Sequence, residues 1–573
     1  MAHSKATETT GHLWIEQGEP QRGLIAQVAL IVPVRRTYAY AVPAPLAEQI
    51  HVGHRVAVRL GRRGRVVDGF VVGLDQGVWE STLRPIDSVV DRESFLTSEL
   101  VELGREISTH YACPLGQTLK AMTPESVRQG RGLETVRYAR LTRPLGEILD
   151  ASARVSPKRR AVIETLAGAE APLPVVQLLE QAGASAAVLR ATVVAGWVEI
   201  ETRKQLAQSH PTKSAGEAPQ EPGFVLKAEQ QAALDAICTE IDAKRFSVTL
   251  LFGVSGGGKT EVYIRAMQHV LRQGKQVLLL VPEIMLTTQL VQRLARRFPD
   301  AAVMHSGLTE ARRSRAWQRV AVGENAVVIG TRSAVFAPFP QLGLICVDEE
   351  QETSYKNLQA PRYHTRDVAI MRAWKLGIPV VLGSATPSVE TWHHSGRHRD
   401  YRRVVISKRI NEQPMPKVHI VDMHEEALEQ KRTVVMSRLM EHLLRETLNR
   451  KEQAVLLINR RGFAQRLYCP SCRMRIICPH CSVGLVVHRS EGQCLCHYCR
   501  TRIPIPDVCP NVTCGGKLIQ VGLGTERVEE VVTRCFPQAR VQRVDRDTMR
   551  HRSRYGQILE EFEARRIDVL VGT

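Results

Sequence analysis

The run from Phe246 to Thr260 constrains this chain more than any other stretch, because an apolar segment empties into a glycine-rich turn closed by Lys259 and Thr260. Ser247 to Phe252 is β-branched and apolar like a buried strand, and Gly253, Val254, Ser255, Gly256, Gly257, Gly258, Lys259 and Thr260 follow it in P-loop spacing. The glycines let successive backbone N–H groups converge on phosphate oxygens with no Cβ in the way. Lys259 supplies a point charge for the β- and γ-phosphates, and Thr260 a hydroxyl for Mg²⁺. Val262, Ala266 and Val270 then fall on one helix face, and Gly274 reads as the stop. Strand, loop and helix in that order predict an α/β domain that grips a nucleotide.

At 573 residues the chain is too long for one core and should divide into three to five domains. Lys and Arg number 78 against 59 Asp and Glu, a net charge of +19. Such a balance favours a polyanionic partner, although charge alone is equally compatible with a well-solvated surface. Met1 to Pro20 lacks the apolar core of a signal peptide, and no apolar run reaches membrane-spanning length. We therefore expect no membrane partner and a cytoplasmic protein with reduced thiols.

Residues 1–23 read as a disordered N-terminus and 24–96 as a small β-domain with strands at Ile25–Val34, Thr37–Val42, Arg55–Leu60 and Arg65–Val72. Arg35, Arg36, Arg55, Arg59, Arg62, Arg63 and Arg65 give it a basic face, which suits phosphate contact or a charge-protected edge. Gly61–Arg65 superficially resembles a helicase arginine motif but lies far upstream of the P-loop. Residues 97–150 read as a helical connector. In 151–202, helices at Arg159–Leu166, Val175–Ala182 and Ala186–Ala195 precede a strand at Trp197–Ile200, which fits a winged helix or an interaction scaffold. Residues 203–223 are a polar linker. Beyond Leu226 strands and helices alternate, as in a parallel sheet covered on both faces. The expected strands are Val248–Phe252, Gln276–Val281, Ala326–Ile329, Leu344–Val347, Pro379–Leu382, Ala454–Ile458, Arg540–Val544 and Asp568–Val571. They divide into a first lobe at 224–400 and a second at 401–465 and 519–573, split by a cysteine-rich insertion at 466–518.

Leu344–Val347 ends in Asp348, Glu349 and Glu350. A carboxylate at the C-terminal end of a strand sits at the ligand edge of an α/β sheet. Asp348 is the candidate Mg²⁺ holder, and Glu349 the candidate base for the water that attacks the γ-phosphate. Lys259, Asp348 and Glu349 are thus the expected catalytic set. Thr331, Arg332 and Ser333 offer phosphate contacts after another strand, and Ser384 and Thr386 offer a link from nucleotide to nucleic acid.

Of 13 cysteines, nine lie between Cys469 and Cys514. Cys469/Cys472, Cys478/Cys481 and Cys496/Cys499 are separated by two residues, and Cys509/Cys514 by four. Eight thiolates make two tetrahedral Zn²⁺ sites, both closed to catalytic water and therefore structural. Cys113, Cys238, Cys346 and Cys535 read as core thiols.

The chain resembles the superfamily-two helicases, and more narrowly the PriA family of primosomal, replication-restart helicases. The residues that carry the likeness are Gly253–Tyr263, Val281–Ile284, His305–Gly307, Gly330–Ser333, Asp348–Glu350, Arg362–Asp367, Ser384–Pro387, Asn459–Phe463 and Val521–Glu526, together with the interposed cysteines. The resemblance implies a 3′→5′ DNA motor of two RecA-like lobes, a β-domain that captures a 3′ DNA end, and a winged helix. It implies ATP, Mg²⁺ and two Zn²⁺ as cofactors. The implied partners are forked and single-stranded DNA, primosome proteins, the replicative-helicase loader and single-stranded DNA-binding protein, at the nucleoid. It pairs Cys469/Cys472 with Cys509/Cys514 on one ion and the inner cysteines on the other. Tyr40, Arg332, Tyr355, Arg362 and Tyr363 are the implied DNA contacts, the tyrosines of the 355–364 loop by stacking on bases.

Besides the stretched fourth cysteine pair, four departures from the family pattern stand out. Gln351 stands where the family usually has a histidine after the acids, Gly257 where it has a serine, Ala39 where some members carry an acid beside Tyr40, and the fourth is the end of the chain. The chain stops at Thr573, before two further motor motifs, from which we expect a truncated and weakened second lobe. The expected function is an ATP-dependent helicase at stalled replication forks. A fork-binding scaffold without catalysis is the alternative, and an RNA-directed motor a third.

Overall fold

The computed structural model describes all residues except 1–20, 80–82, 92–95, 129–132, 151–154, 170, 207–224, 283–293, 295, 431–433, 459–465, 489–491, 512, 522–524, 545–551 and 573. Asn459–Phe463 lies outside the described residues, as do parts of Val281–Ile284 and Val521–Glu526, most of the expected linker and nearly all of the expected disordered N-terminus. The chain divides into two compact units, Met1–Pro414 and Met415–Thr573. Among the described residues no helix is long and apolar enough to cross a membrane.

The first unit opens with β1 (Gln21–Leu30), β2 (Tyr38–Ala41), β3 (Arg55–Leu60), β4 (Arg65–Trp79) and β5 (Ile86–Val89), an antiparallel sheet in the order β2-β1-β4-β3-β5. The Gly61–Arg65 stretch is the β3–β4 hairpin, with Gly61 and Gly64 at φ of +70° and +62°. Part of the expected basic face is internally neutralised, since Arg55 reaches Asp91 at 2.9 Å and Arg59 reaches Asp87 at 3.2 Å. Arg35, Arg36, Arg62, Arg63 and Arg65 stay exposed.

Helices Ser98–His110 and Leu115–Met122 follow, as the connector reading expects. The connector does not run to 150 as helix, however, because β6 (Leu133–Leu141) lies within it. This strand pairs antiparallel with β8 (Val198–Leu206) and with β7 (Leu173–Pro174), around helices Pro157–Ala167, Val175–Gln181 and Ala186–Val194. The three helices match expectation. β6 escapes sequence reading because its pairing partner lies about sixty residues further on, and β8 extends into the expected linker.

The large parallel sheet contains β9 (Ser247–Gly253), β10 (Gln276–Leu280), β11 (Ala302–Met304), β12 (Val327–Gly330), β13 (Leu342–Val347), β14 (Pro379–Ser384) and β15 (Tyr401–Ile406). All pairs are parallel, in the order β11-β12-β10-β13-β14-β9-β15, and strands β10, β12, β13 and β14 are buried along their whole length. Tyr401–Ile406, expected to begin the second lobe, instead closes this sheet beside β9. As an edge strand it tolerates Arg402 and Arg403, the latter stacked on Trp392 at 3.5 Å.

One buried ion pair fastens the connector to the domain of the large parallel sheet. Arg372 of helix Thr365–Leu376 is fully buried, and two of its nitrogens donate to Glu99 at 3.1 Å while a third donates to the Val335 carbonyl at 2.7 Å. Leu100, Leu103 and Ile107 pack into the same core as Val368 and Ala369.

In the second unit, β16 (Ala454–Leu457), β22 (Val541–Val544) and β23 (Val569–Gly572) form a parallel sheet in the order β16-β23-β22, which packs with Leu444, Val528, Val532 and Phe536. The cysteine block is an insertion whose neck is the antiparallel pair β17 (Arg466–Tyr468) and β21 (Ile519–Val521), and it contains the three-stranded β18 (Val486–His488), β19 (Gln493–Leu495) and β20 (Arg502–Pro504). Arg372→Ala, which strands a half-buried carboxylate, should lower the chemical-denaturation midpoint by the equivalent of about 3–5 kcal/mol.

Candidate functional site

The glycine-rich loop between β9 and the following helix is shaped by backbone conformation. Gly256 and Gly258 take φ of +77° and +84°, in the left-handed region that glycine enters without strain. Gly258 also caps helix Lys259–Arg272, so the free N–H groups of that helix start face the loop. Ser255 and Gly256 are exposed at its tip, and Thr260 sits in the first helical turn. Lys259 is 8% exposed and donates from Nζ to the Gly253 carbonyl at 2.9 Å, folded onto its own loop.

Gln230, which sequence reasoning missed, grips this loop from a neighbouring helix, Ala228–Asp242. Its amide donates to the Gly257 carbonyl at 3.0 Å and accepts from the Lys227 backbone N–H at 2.9 Å. The signal for it was a glutamine at the third position of a helix, where a side chain turns back on the helix start. A cavity of about 210 Å³ opens beside it, bounded by Lys227, Gln230, Gly257, Ile406, Lys408 and Ile410.

Asp348 directly follows β13 and is 5% exposed. Burial pushes its carboxyl up to about 6, with repulsion from Glu349 adding to the rise and the charge of Lys259 opposing it. Oδ1 accepts from the Tyr263 hydroxyl at 3.2 Å and from the Glu349 N–H at 3.1 Å. A buried carboxylate held against its desolvation cost is suited to a cation, which would restore its charge. Glu349 itself takes φ of +46°, a strained conformation for a side-chain-bearing residue and one that clusters at functional sites.

Gln351 does what its replacement of histidine allows. Its Nε2 donates to Glu349 Oε2 at 2.9 Å, while its Oε1 accepts from Ser384 Oγ at 2.6 Å, and Ser384 Oγ accepts from the Thr386 N–H at 2.9 Å. A continuous chain therefore joins the acid strand to the loop after β14. Glu350, the third acid, is fully buried and accepts from the Ser388 N–H at 2.7 Å, from Thr391 Oγ1 at 3.0 Å and from Arg366 Nη1 at 3.0 Å. Its work is to hold the loop after β14.

The three tyrosines expected to contact DNA are packed into the core. Tyr40 is 1% exposed with its hydroxyl on the Arg59 carbonyl at 3.1 Å, and Tyr355 is 1% exposed with its hydroxyl on the Asp348 carbonyl at 2.7 Å. Tyr363 is 3% exposed, edge-to-face with Phe336 at 5.1 Å. All three rings are buried in this structure. Arg362 remains exposed, and Arg332 is half-buried with Nη1 on the Lys356 carbonyl at 3.0 Å.

The thiols gather into two tetrads, Cys469/Cys472/Cys509/Cys514 and Cys478/Cys481/Cys496/Cys499, with sulfurs within 4.8 Å of one another. Measured Sγ–Sγ separations of 3.6, 3.4 and 3.5 Å suit a tetrahedral ion, whose Zn–S bonds of about 2.3 Å imply edges of about 3.8 Å. The tetrads fit Zn²⁺, and Cys494 belongs to neither.

Each knuckle is closed by the N–H of its first cysteine on a carbonyl downstream: Cys469 on Met474, Cys478 on Val483, Cys496 on Thr501 and Cys509 on Gly516. Each also has a left-handed residue after its second cysteine, at Arg473, Ser482, Arg500 and Gly515. The stretched fourth knuckle thus absorbs its two additional residues and closes like the others. A Cβ on Gly516 would meet Ser471 Oγ at 2.8 Å, Cys469 Sγ at 3.1 Å and Cys514 Sγ at 3.2 Å. Gly516→Ala should therefore lower zinc content from two ions per chain toward one, read by elemental analysis.

Residues 27–124 match the family model of the PriA 3′ DNA-binding domain, 227–394 that of the DEAD/DEAH box helicase, and 478–504 that of the PriA DNA helicase Cys-rich region. The chain is 38% identical over 403 residues to Replication restart protein PriA of Bacillus subtilis (strain 168), covering 70% of this chain and 49% of that one. It is 33% identical over 559 residues to Replication restart protein PriA of Chlamydia pneumoniae, and 33% over 565 to that of Haemophilus influenzae (strain ATCC 51907 / DSM 11121 / KW20 / Rd). These two matches cover 96% of this chain and 73% and 74% of the relatives. The chain therefore spans about half the length of the first relative and about three-quarters of the other two.

Proposed function

The chain belongs to the PriA family of replication restart proteins, and from that premise we propose that it is an ATP-driven 3′→5′ DNA motor that remodels stalled forks for reloading of the replicative helicase. The observation that carries the reading is the buried carboxylate of Asp348, close enough to the P-loop for the charge of Lys259 to act on it.

In this reading Lys259 and the loop N–H groups bind the β- and γ-phosphates, and the nucleoside lies in the cavity beside Gln230. Thr260 and Asp348 hold Mg²⁺, which when bound neutralises charge on the phosphates. Glu349, oriented by Gln351, takes the proton of the attacking water. The chain of bonds through Gln351 and Ser384 carries the change at Glu349 to the loop after β14. Arg332 and Arg362 contact DNA phosphates. Forked and single-stranded DNA are the substrates. Primosome proteins, the helicase loader and single-stranded DNA-binding protein are the partners, in the cytoplasm at the nucleoid, and these rest on family likeness.

Phosphate release stimulated by forked DNA should fall by about 10²-fold in Lys259→Ala. Equal release by both proteins would instead favour a fork-binding scaffold. Gln351→Ala removes two hydrogen bonds and should reduce the ratio of fork-stimulated to basal hydrolysis by about tenfold, measured by the same assay.

A further inference from the structure

Tyr263 lies one helical turn beyond Lys259 and is 1% exposed. Its neighbours give no reason for a hydroxyl on packing grounds, since it shares its core with Val262, Ile264, Met267 and Leu344. A phenylalanine would fill nearly the same space without a buried polar atom to satisfy. The hydroxyl has one described target, Asp348 Oδ1 at 3.2 Å.

Reaching it demands an accommodation elsewhere. β14 stands between β9, which leads into the P-loop, and β13, which leads into Asp348. A side chain running from the P-loop helix to Asp348 must cross the end of β14, and the residue at the crossing is Gly383. A Cβ on Gly383 would lie 1.2 Å from the Tyr263 hydroxyl oxygen and 2.4 Å from the ring carbon that carries it. The Gly383 carbonyl meanwhile accepts from the Glu350 N–H at 3.1 Å, so the same residue also braces the acid strand.

We propose that Tyr263 is a positioning residue for the nucleotide-bound cation: with the Glu349 N–H it saturates Oδ1 of Asp348, leaving Oδ2 as the oxygen presented to the metal. Gly383 is the vacancy that makes the contact possible. The proposal deepens the reading of Asp348 as the Mg²⁺ holder and rests on it. A carboxylate that binds Mg²⁺ through one oxygen needs its other oxygen fixed, because this ion demands near-ideal octahedral geometry.

The test is equilibrium binding of a fluorescent ATP analogue to the full chain, with Mg²⁺ and with a chelator, for the parent protein and for Tyr263→Phe, Gly383→Ala, Asp348→Asn and the Tyr263→Phe/Asp348→Asn pair. Loss of one hydrogen bond to a charged group should cut the Mg²⁺-dependent gain in affinity by about tenfold in Tyr263→Phe, with binding in chelator unchanged. Gly383→Ala, which displaces the hydroxyl from the facing strand, should do the same, and Tyr263→Phe should add nothing to Asp348→Asn. A purely structural tyrosine would weaken binding equally with and without Mg²⁺, which overturns the proposal. A full Mg²⁺ gain in Tyr263→Phe, with the gain lost in Asp348→Asn, also overturns it while leaving the role of Asp348 intact. A full gain in Asp348→Asn removes the underlying reading itself. Paramagnetic titration with Mn²⁺ and the same nucleotide reads metal occupancy independently of turnover and of the fluorescent group.

Discussion

A carboxylate kept out of water at the end of a buried strand is the constraint to which the elements around the large parallel sheet answer. Asp348 pays a desolvation cost that raises its pKa, and the surrounding elements are arranged to hold it charged or ready to be charged: the lysine of the P-loop, the tyrosine of the following helix and the N–H of the next residue. The parallel sheet brings these groups together because its strands all end at one edge, and four of them carry apolar side chains on both faces. Remove the parallel order and the lysine and the acid, about ninety residues apart in sequence, have no reason to meet.

How much of this could be read from the residues depends on the range of the interaction. The P-loop, the acid after β13 and the cysteine pairs are local patterns whose chemistry is set by spacings of a few residues, and they stand where expected. Interactions across the fold are a different matter. Gln230 is one helix away from the loop it grips, and Tyr263 is a strand away from its target. Gln230 carries a local signal only for its bond to the helix start, not for its grip on the loop, and nothing in the sequence around Tyr263 marks its hydroxyl as aimed at an acid. β15 was hidden by its two arginines, which an edge strand exposes and a central strand could not, and β11 by its length of three residues.

The tyrosines carry the same lesson in reverse. Tyr40, Tyr355 and Tyr363 lie in stretches whose composition suits contact with bases, yet each ring is enclosed. Aromatic residues serve a core as readily as an interface, and only the packing around them distinguishes the two. Tyr355 is instructive, since its hydroxyl supports the carbonyl of Asp348 and so reinforces the acid from behind. A residue expected at the nucleic acid is bonded to the backbone at the end of the acid strand.

The neck of the cysteine-rich insertion has its own consequence. Because β17 and β21 pair side by side, the insertion begins and ends at one neck within the second unit, a side branch on a trunk whose strands β16, β23 and β22 are paired without it. In a cell short of metal, failure would then be confined to the branch: the ribbon loses its shape while the sheet from which it grows keeps its own.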